Sequence, residues 1–164
     1  SLLDVEVIKE DGSKHYLAVN DAVVARGQLS KTIDLHLTLD GDEISKYRAD
    51  GLLFATPTGS TAYSLSAGGP ILAPKMECIL MTPVCPHSLF SRSVLFSGES
   101  ELSVHVKIPE ECCCVLTIDG EKNVPVLATD RVVIRKSDLK LKLALLHNRN
   151  FYKLLNEKLK ERDF

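Results

Sequence analysis

Thr56, Thr58, Ser60, Thr61, Ser64 and Ser66 place six hydroxyls within eleven residues, with Gly59 among them. Hydroxyls and backbone N–H groups gathered on a small-residue turn suit an anionic or polyhydroxylated ligand. Gly59 lets the main chain approach such a ligand closely. Tyr63 adds an aromatic face, where stacking of a base contributes ~1–3 kcal/mol. The turn follows a short apolar run from Gly51 to Ala55 that breaks at Thr56-Pro57, and a helix-capable stretch starts at Ala62. Strand, turn and helix start in that order describe a nucleotide pocket. They equally describe a structural loop with Tyr63 in the core, and spacing alone leaves both readings open. Neither Gly-Lys-Ser/Thr nor Gly-x-Gly-x-x-Gly is present, so the turn is not a Walker loop or a dinucleotide fingerprint. Ser60 or Thr61 is expected to cap the short helix.

The elements around that turn read mostly as strands. Val5, Val7 and an Asp11-Gly12 turn lead into Tyr16, Leu17 and Val19 as a hairpin. Ile33, Leu35, Leu37 and Leu39 alternate with Asp34, His36 and Thr38, the pattern of a half-buried strand. Asp40-Gly41 then turns the chain into a strand from Ile44 to Arg48. Further strands are expected over 78–82, 93–96, 102–108, 112–118, 124–127, 131–135 and 139–146. At the end of the chain Phe151, Leu154, Leu155 and Leu159 recur at helical spacing. Asp50-Gly51 differs from the other three Asp-Gly pairs because it runs directly into the hydroxyl-rich segment. The fold class is therefore mainly β: a multi-stranded β-sandwich, with a short helix after Thr-Gly-Ser-Thr-Ala-Tyr and a C-terminal helix. Residues 1–164 form one domain, and a chain this long buries roughly 70% of its unfolded surface without a disulfide or metal staple.

Composition narrows the function classes. No apolar run approaches the ~18 residues of a membrane span, and no targeting segment is visible, which gives a cytoplasmic reading. Ser1 in place of Met reads as a processed or excised chain. Cys78, Cys85 and Cys112-Cys113-Cys114 are odd in number, lack Cys-x-x-Cys, and alternate faces where adjacent, so no zinc site is expected. They read as buried, inert thiols of a reducing compartment. His87 titrates near neutral pH and suits a base in isolation, but Pro86-His87 closing a strand reads as scaffold. The five histidines show no metal spacing. From Thr129 onward ten Lys or Arg face five Asp or Glu; this basic stretch reads as solvated strand faces and a Lys-rich helix end, or as a phosphate-facing surface.

The string Thr-Pro-Thr-Gly-Ser-Thr-Ala-Tyr-Ser-Leu-Ser-Ala-Gly-Gly-Pro, Thr56 to Pro70, resembles the signature of NAD kinases. Four other segments extend the resemblance in the family's order. Val19-Asn20-Asp21-Ala22-Val23-Val24 is similar to its Asn-Glu/Asp motif. Arg48-Ala49-Asp50-Gly51 is similar to its Arg-x-Asp-Gly lead-in, and Thr82-Pro83-Val84-Cys85-Pro86-His87-Ser88-Leu89 to its Thr-Pro-x-x-Pro-His segment. Ile118-Asp119-Gly120-Glu121 is similar to its late Asp-Gly-Gln segment, with Glu121 replacing the amide.

The resemblance implies NAD contacts from Asn20 and Asp21 on the adenosine half, with Asp21 holding ribose hydroxyls. Thr61 and Ala62 would read the adenine edge and Tyr63 would pack on a ring face. Arg48, Asp50 and Ser66 would lie toward the nicotinamide, and Lys31 would reach ligand, often from a neighbouring subunit. Thr58, Ser64, Leu65 and Glu121 complete the implied set. No catalytic residue and no metal ligand is assigned. NAD kinases carry Gly-Gly-Asp-Gly in an N-terminal α/β domain that receives ATP, whereas here Gly68-Gly69 is followed by Pro70. The chain therefore reads as the C-terminal, NAD-binding domain, inactive alone, of an enzyme that phosphorylates the adenosine 2′-hydroxyl of NAD with ATP and Mg²⁺ or another divalent metal. The implied partners are NAD or NADP, ATP through the other domain, and further copies in a dimer or tetramer. Nucleic acid and membrane are not implied. A non-catalytic NAD(P) sensor, or a related lipid or sugar kinase sandwich, is the alternative. The C-terminal helix is expected to expose an apolar stripe.

Overall fold

Residues 3–7, 33–37 and 114–118 bury alternate side chains, as strands with one face on the core do. The computed structural model describes residues 1–27, 32–88, 91–108, 113–142 and 150–161. Its first five strands are β1 (Leu3–Lys9), β2 (Gly12–Ala18), β3 (Asp21–Arg26), β4 (Ile33–Leu39) and β5 (Asp42–Ala49). β6 (Gly51–Ala55), the short helix α1 (Tyr63–Ser66), β7 (Cys78–Val84), β8 (Val94–Ser97) and β9 (Leu102–Lys107) follow. β10 (Cys114–Ile118), β11 (Lys122–Val126), β12 (Arg131–Lys136) and the helix α2 (Phe151–Glu161) complete the described elements. One six-stranded sheet runs β2-β1-β12-β9-β4-β5 and the other β11-β10-β3-β6-β7-β8.

Leu3, Val5 and Val7 of β1 and Ile33, Leu35 and Leu37 of β4 face Val24, Leu52, Phe54, Ile79, Met81 and Leu116 of the other sheet across one core. The expected sandwich is the one observed. β6 departs from alternation because it is buried along its whole length. Leu52 and Phe54 point into the main core. Leu53 and Ala55 pack on the outer face with Val23, Leu72 and Leu80, in a smaller cluster. That outer cover is the chain leaving the hydroxyl-rich turn, so the continuous apolar run from Gly51 to Ala55 reflects burial on both faces.

Asp50-Gly51 carries the chain from β5 in one sheet to β6 in the other. A Cβ on Gly51 would lie 2.7 Å from the Val24 carbonyl oxygen and 2.9 Å from the Ala25 Cβ, so the step needs glycine for close approach. The Asp40-Gly41 and Asp119-Gly120 pairs have positive φ at both residues, as two-residue hairpin turns require.

β3 is a strand that the sequence pattern does not announce. Asp21, Ala22, Val23 and Val24 are all buried, so a central strand with apolar neighbours on both faces loses its period of two. The expected strand over 139–146 is not formed at residues 139–142, and its remainder lies outside the described residues. Cys112 and Lys31 also lie outside them. In α2, Tyr152 and Leu154 are exposed while Phe151 and Leu155 are half-buried, so its apolar stripe is only partly covered.

Candidate functional site

Thr56, at the end of β6, fastens the turn to the start of β3. Its N–H donates to the Asn20 carbonyl at 2.9 Å. Its hydroxyl donates to the Val19 carbonyl at 2.7 Å and accepts from the Gly59 N–H at 2.9 Å. Ser60 donates to the Pro57 carbonyl at 2.7 Å and accepts from the Leu72 N–H at 3.0 Å. The Ser64 hydroxyl lies 3.2 Å from that of Thr82, which in turn meets Ser93 at 3.0 Å. Thr56, Ser60 and Ser64 are buried, so half of the six hydroxyls build the loop. Thr58, Thr61 and Ser66 keep some exposure.

The expected helix cap is not realised. Neither the 3-10 turn Gly59–Thr61 nor α1 has a side-chain cap, because Ser60 is engaged between Pro57 and Leu72 and Thr61 bonds the Thr58 carbonyl. Thr56→Val keeps the volume but orphans the Gly59 N–H and the Val19 carbonyl, two main-chain groups that a carbon side chain cannot satisfy. A loss of about 2 kcal/mol is expected, measured by urea unfolding; an unchanged midpoint would show that the loop holds without this clamp.

Gly59 lies directly on Asn20: a Cβ there would meet the Asn20 carbonyl oxygen at 2.0 Å and its carbonyl carbon at 2.4 Å. From the other side the Asp119 carboxylate accepts from the N–H groups of Val19 (2.8 Å), Asn20 (2.7 Å) and Asp21 (3.1 Å). These contacts bring the start of β3, the turn and the β10–β11 hairpin around a cavity of about 410 Å³. Asn20, Asp21, Ala62, Tyr63, Thr117 and Asp119 line it, and the volume falls in the range of small-ligand sites. Tyr63 is 48% exposed, which removes the core reading and leaves its ring at the cavity mouth. Asp21 is buried; burial first, and the Asp119 carboxylate second, push its pKa up to about 6.

The other expected residues sit apart from this cluster. Arg48 donates to both oxygens of Asp34 at 2.8 and 3.0 Å, and Asp50 accepts from the Arg26 guanidinium at 2.7 and 3.4 Å. Asp21 pairs with Ala55 and Ala25 with Gly51. Four residues at ~3.4 Å each therefore put the Arg48–Asp50 corner roughly 14 Å from Asp21. Glu121 is exposed just beyond the turn, Leu65 is half-buried, and Ser64 faces Thr82. Thr117 and Asp119 join the cavity, although the sequence marked Asp119 only as a turn residue within a family segment.

A wider cleft of about 760 Å³ lies on the other flank of the β10–β11 hairpin, lined by His15, Tyr16, Lys122 and Arg135 among others. Its charges already answer one another: His15 meets Asp4 at 3.1 Å, and Arg135 meets Glu6 at 3.0 Å and Glu101 at 2.8 Å. The smaller cavity is where buried polar groups converge, and chemistry favours it over size. Cys78 and Cys114 are buried thiols, with burial raising both and taking Cys114 to about 12. Cys85 and Cys113 are exposed, which corrects the expectation of uniformly buried thiols: both lie just past strand ends, outside the core. Among the described residues no group of three His, Cys, Asp or Glu side chains could hold a metal ion.

Residues 19–146 match the sequence model of the ATP-NAD kinase C-terminal domain. The NAD kinase of Magnetococcus marinus is 40% identical over 161 residues, covering 96% of this chain and 52% of that protein. That of Lachnoclostridium phytofermentans is 37% identical over 163 residues, covering 96% and 57%. Yeast NADH kinase complexed with NADH superposes with a TM-score of 0.84 at 28% identity, over 99% of this chain and 50% of that one. An NAD kinase from Archaeoglobus fulgidus in complex with ATP superposes with a TM-score of 0.69 at 30% identity, over 84% and 52%. The chain spans about half the length of the relatives it matches.

Proposed function

The chain belongs to the NAD kinase family, as its C-terminal domain, and on that premise we propose that it supplies the NAD-recognising half of an enzyme that phosphorylates the adenosine 2′-hydroxyl of NAD with ATP. The convergence of Asn20, Asp21, Ala62 and Tyr63 on one cavity carries this reading. It is supported by the fold shared with a kinase complexed with NADH and with one in complex with ATP.

In this reading the ionised Asp21 carboxylate accepts ribose hydroxyls, and the buried main chain around Asn20 fixes its orientation. Thr61 and Ala62 present polar edges to adenine, and the exposed Tyr63 ring covers one of its faces. Phosphoryl transfer depends on positioning and on neutralising charge around the γ-phosphate. The Gly-Gly-Asp-Gly loop of the intact enzyme performs that part, so this chain alone binds NAD without turning it over. In this reading the divalent ion accompanies ATP in the intact enzyme. Arg48 and Asp50, about 14 Å from Asp21 along the strands, serve the nicotinamide half of the ligand or a ligand held by a second copy, which accords with a dimeric or tetrameric kinase. We assign it to the cytoplasm; among the described residues no helix is long and apolar enough to cross a membrane.

Calorimetric titration of the chain with NAD tests the reading. Heat of binding is expected, and a folded sample giving none would remove the pocket assignment. Tyr63→Ala should weaken binding by ~1–3 kcal/mol, roughly 5- to 150-fold, if the ring stacks on a base. Unchanged affinity would assign adenine to another surface.

A further inference from the structure

We propose that Asp119 is a positioning residue for the nucleotide site: its carboxylate, held by three consecutive main-chain N–H groups, fixes the bend that presents Asn20 and Asp21 and lays its charge against the Asp21 carboxyl. The inference rests on the NAD-binding reading and deepens it. Asp119 is 100 positions from Val19 in sequence, yet it accepts from Val19, Asn20 and Asp21 at 2.8, 2.7 and 3.1 Å. Its own N–H donates back to the Asp21 carbonyl at 2.9 Å. Thr56 and Gly59 grip the same peptide units from the opposite side, through the Val19 and Asn20 carbonyls.

Three successive N–H groups converging on one point form a nest that receives an anion. Here the protein's own carboxylate fills the nest, so ligand phosphates must be held elsewhere. An ionised carboxylate suits the position because it only accepts. An amide could keep its oxygen for Asn20 and Asp21 but would turn its NH₂ toward the Val19 N–H.

The second part concerns charge. Asp119 adds to burial in pushing Asp21 up to about 6. Among the described residues, the titratable groups lining the cavity with Asp21 are Asp119, from the β10–β11 turn, and Tyr63, from the loop after β6. β6 itself, the other neighbour of β3, carries no titratable side chain. Asp119 is thus the charge that, after burial, holds back the ionisation by which Asp21 becomes an acceptor for ribose hydroxyls.

The test is calorimetric titration of the full chain with NAD from pH 5 to 8. For the wild type, affinity should fall about tenfold per pH unit below a break near the Asp21 pKa, and Asp21→Asn should show no break. Asp119→Asn should weaken binding at pH 8 at least tenfold and move the break at least half a pH unit lower. Asp119→Glu, which keeps the charge but misfits the nest, should weaken binding and leave the break in place. A wild type that does not bind NAD defeats the functional reading and this inference with it. A wild type that binds, with Asp119→Asn unchanged in affinity or in break, defeats this inference alone. Should Asp119→Asn fail to fold, Asp119→Glu decides: weaker binding at pH 8 with the break in place supports the proposal, and unchanged affinity overturns it.

Discussion

Gly59→Ala should abolish measurable NAD binding and cost the fold more than about 3 kcal/mol. The added methyl would lie 2.0 Å from a main-chain oxygen and 2.4 Å from a main-chain carbon, both of Asn20. Neither atom can rotate away, so the turn must lift from the start of β3. That movement breaks the bonds Thr56 makes to Val19 and Asn20 and opens the cavity on its buried side. Gly68→Ala is the control. Gly68 has φ +85° and open space around its Cβ position. Its cost is conformational, ~1–2 kcal/mol, and should leave binding almost intact. Chemical denaturation and calorimetry on both variants separate close approach from backbone conformation. Equal losses would mean that the turn relaxes around the added methyl and that the close approach of Gly59 to Asn20 is not required.

Asp21→Asn should lose NAD affinity while gaining stability at neutral and alkaline pH. Asp21 rises from 3.8 to about 6 on folding, so the native state prefers the protonated form. A carboxyl raised in this way contributes stability that is fully present below the unfolded value and lost as pH climbs through the folded value. About two units correspond to roughly 3 kcal/mol withheld from the wild type at pH 8. Asparagine stays neutral throughout and removes that loss. The variant should melt roughly 6–12 °C higher at pH 8, for a domain of this size, and no higher at pH 3.5. A difference in Tm independent of pH would show that the effect is packing and not charge. A residue kept ionised against the preference of its surroundings is the usual mark of a position retained for binding.

Much of the architecture could be read from alternation. Ile33 to Leu39 declared a one-sided strand, and the Asp-Gly pairs at 40–41 and 119–120 declared hairpins. β3 could not be read in that way, because Asp21 to Val24 are buried irrespective of face. The helix cap failed for a related reason. A serine beside a helix start suggests a cap locally, but Ser60 is needed by Leu72, twelve residues later. In the site, the hydroxyl-rich string located the loop and the Asn20-Asp21 pair located its partner. The division of hydroxyls into structural and exposed ones depended on Thr82, Leu72 and Val19, none of which is near in sequence. Asp119 was hidden for the same reason: an aspartate before glycine in a hairpin has a sufficient local explanation, and its bonds to residues 19–21 exist only once the sheets have closed.

That closure also fixes when the site can exist during folding. The carboxylate that shapes it reaches its partners across about 100 residues, in a mainly β chain whose pairings are largely non-local. Such topologies close loops before contacts reward them, and they fold in milliseconds to seconds rather than microseconds. The proposed nucleotide pocket therefore cannot assemble early around its own signature string and recruit the rest. It appears with the completed sandwich, so on the proposed function a nascent or partly unfolded chain carries the family's most recognisable sequence with no affinity for the dinucleotide, and ligand binding would select for finished molecules.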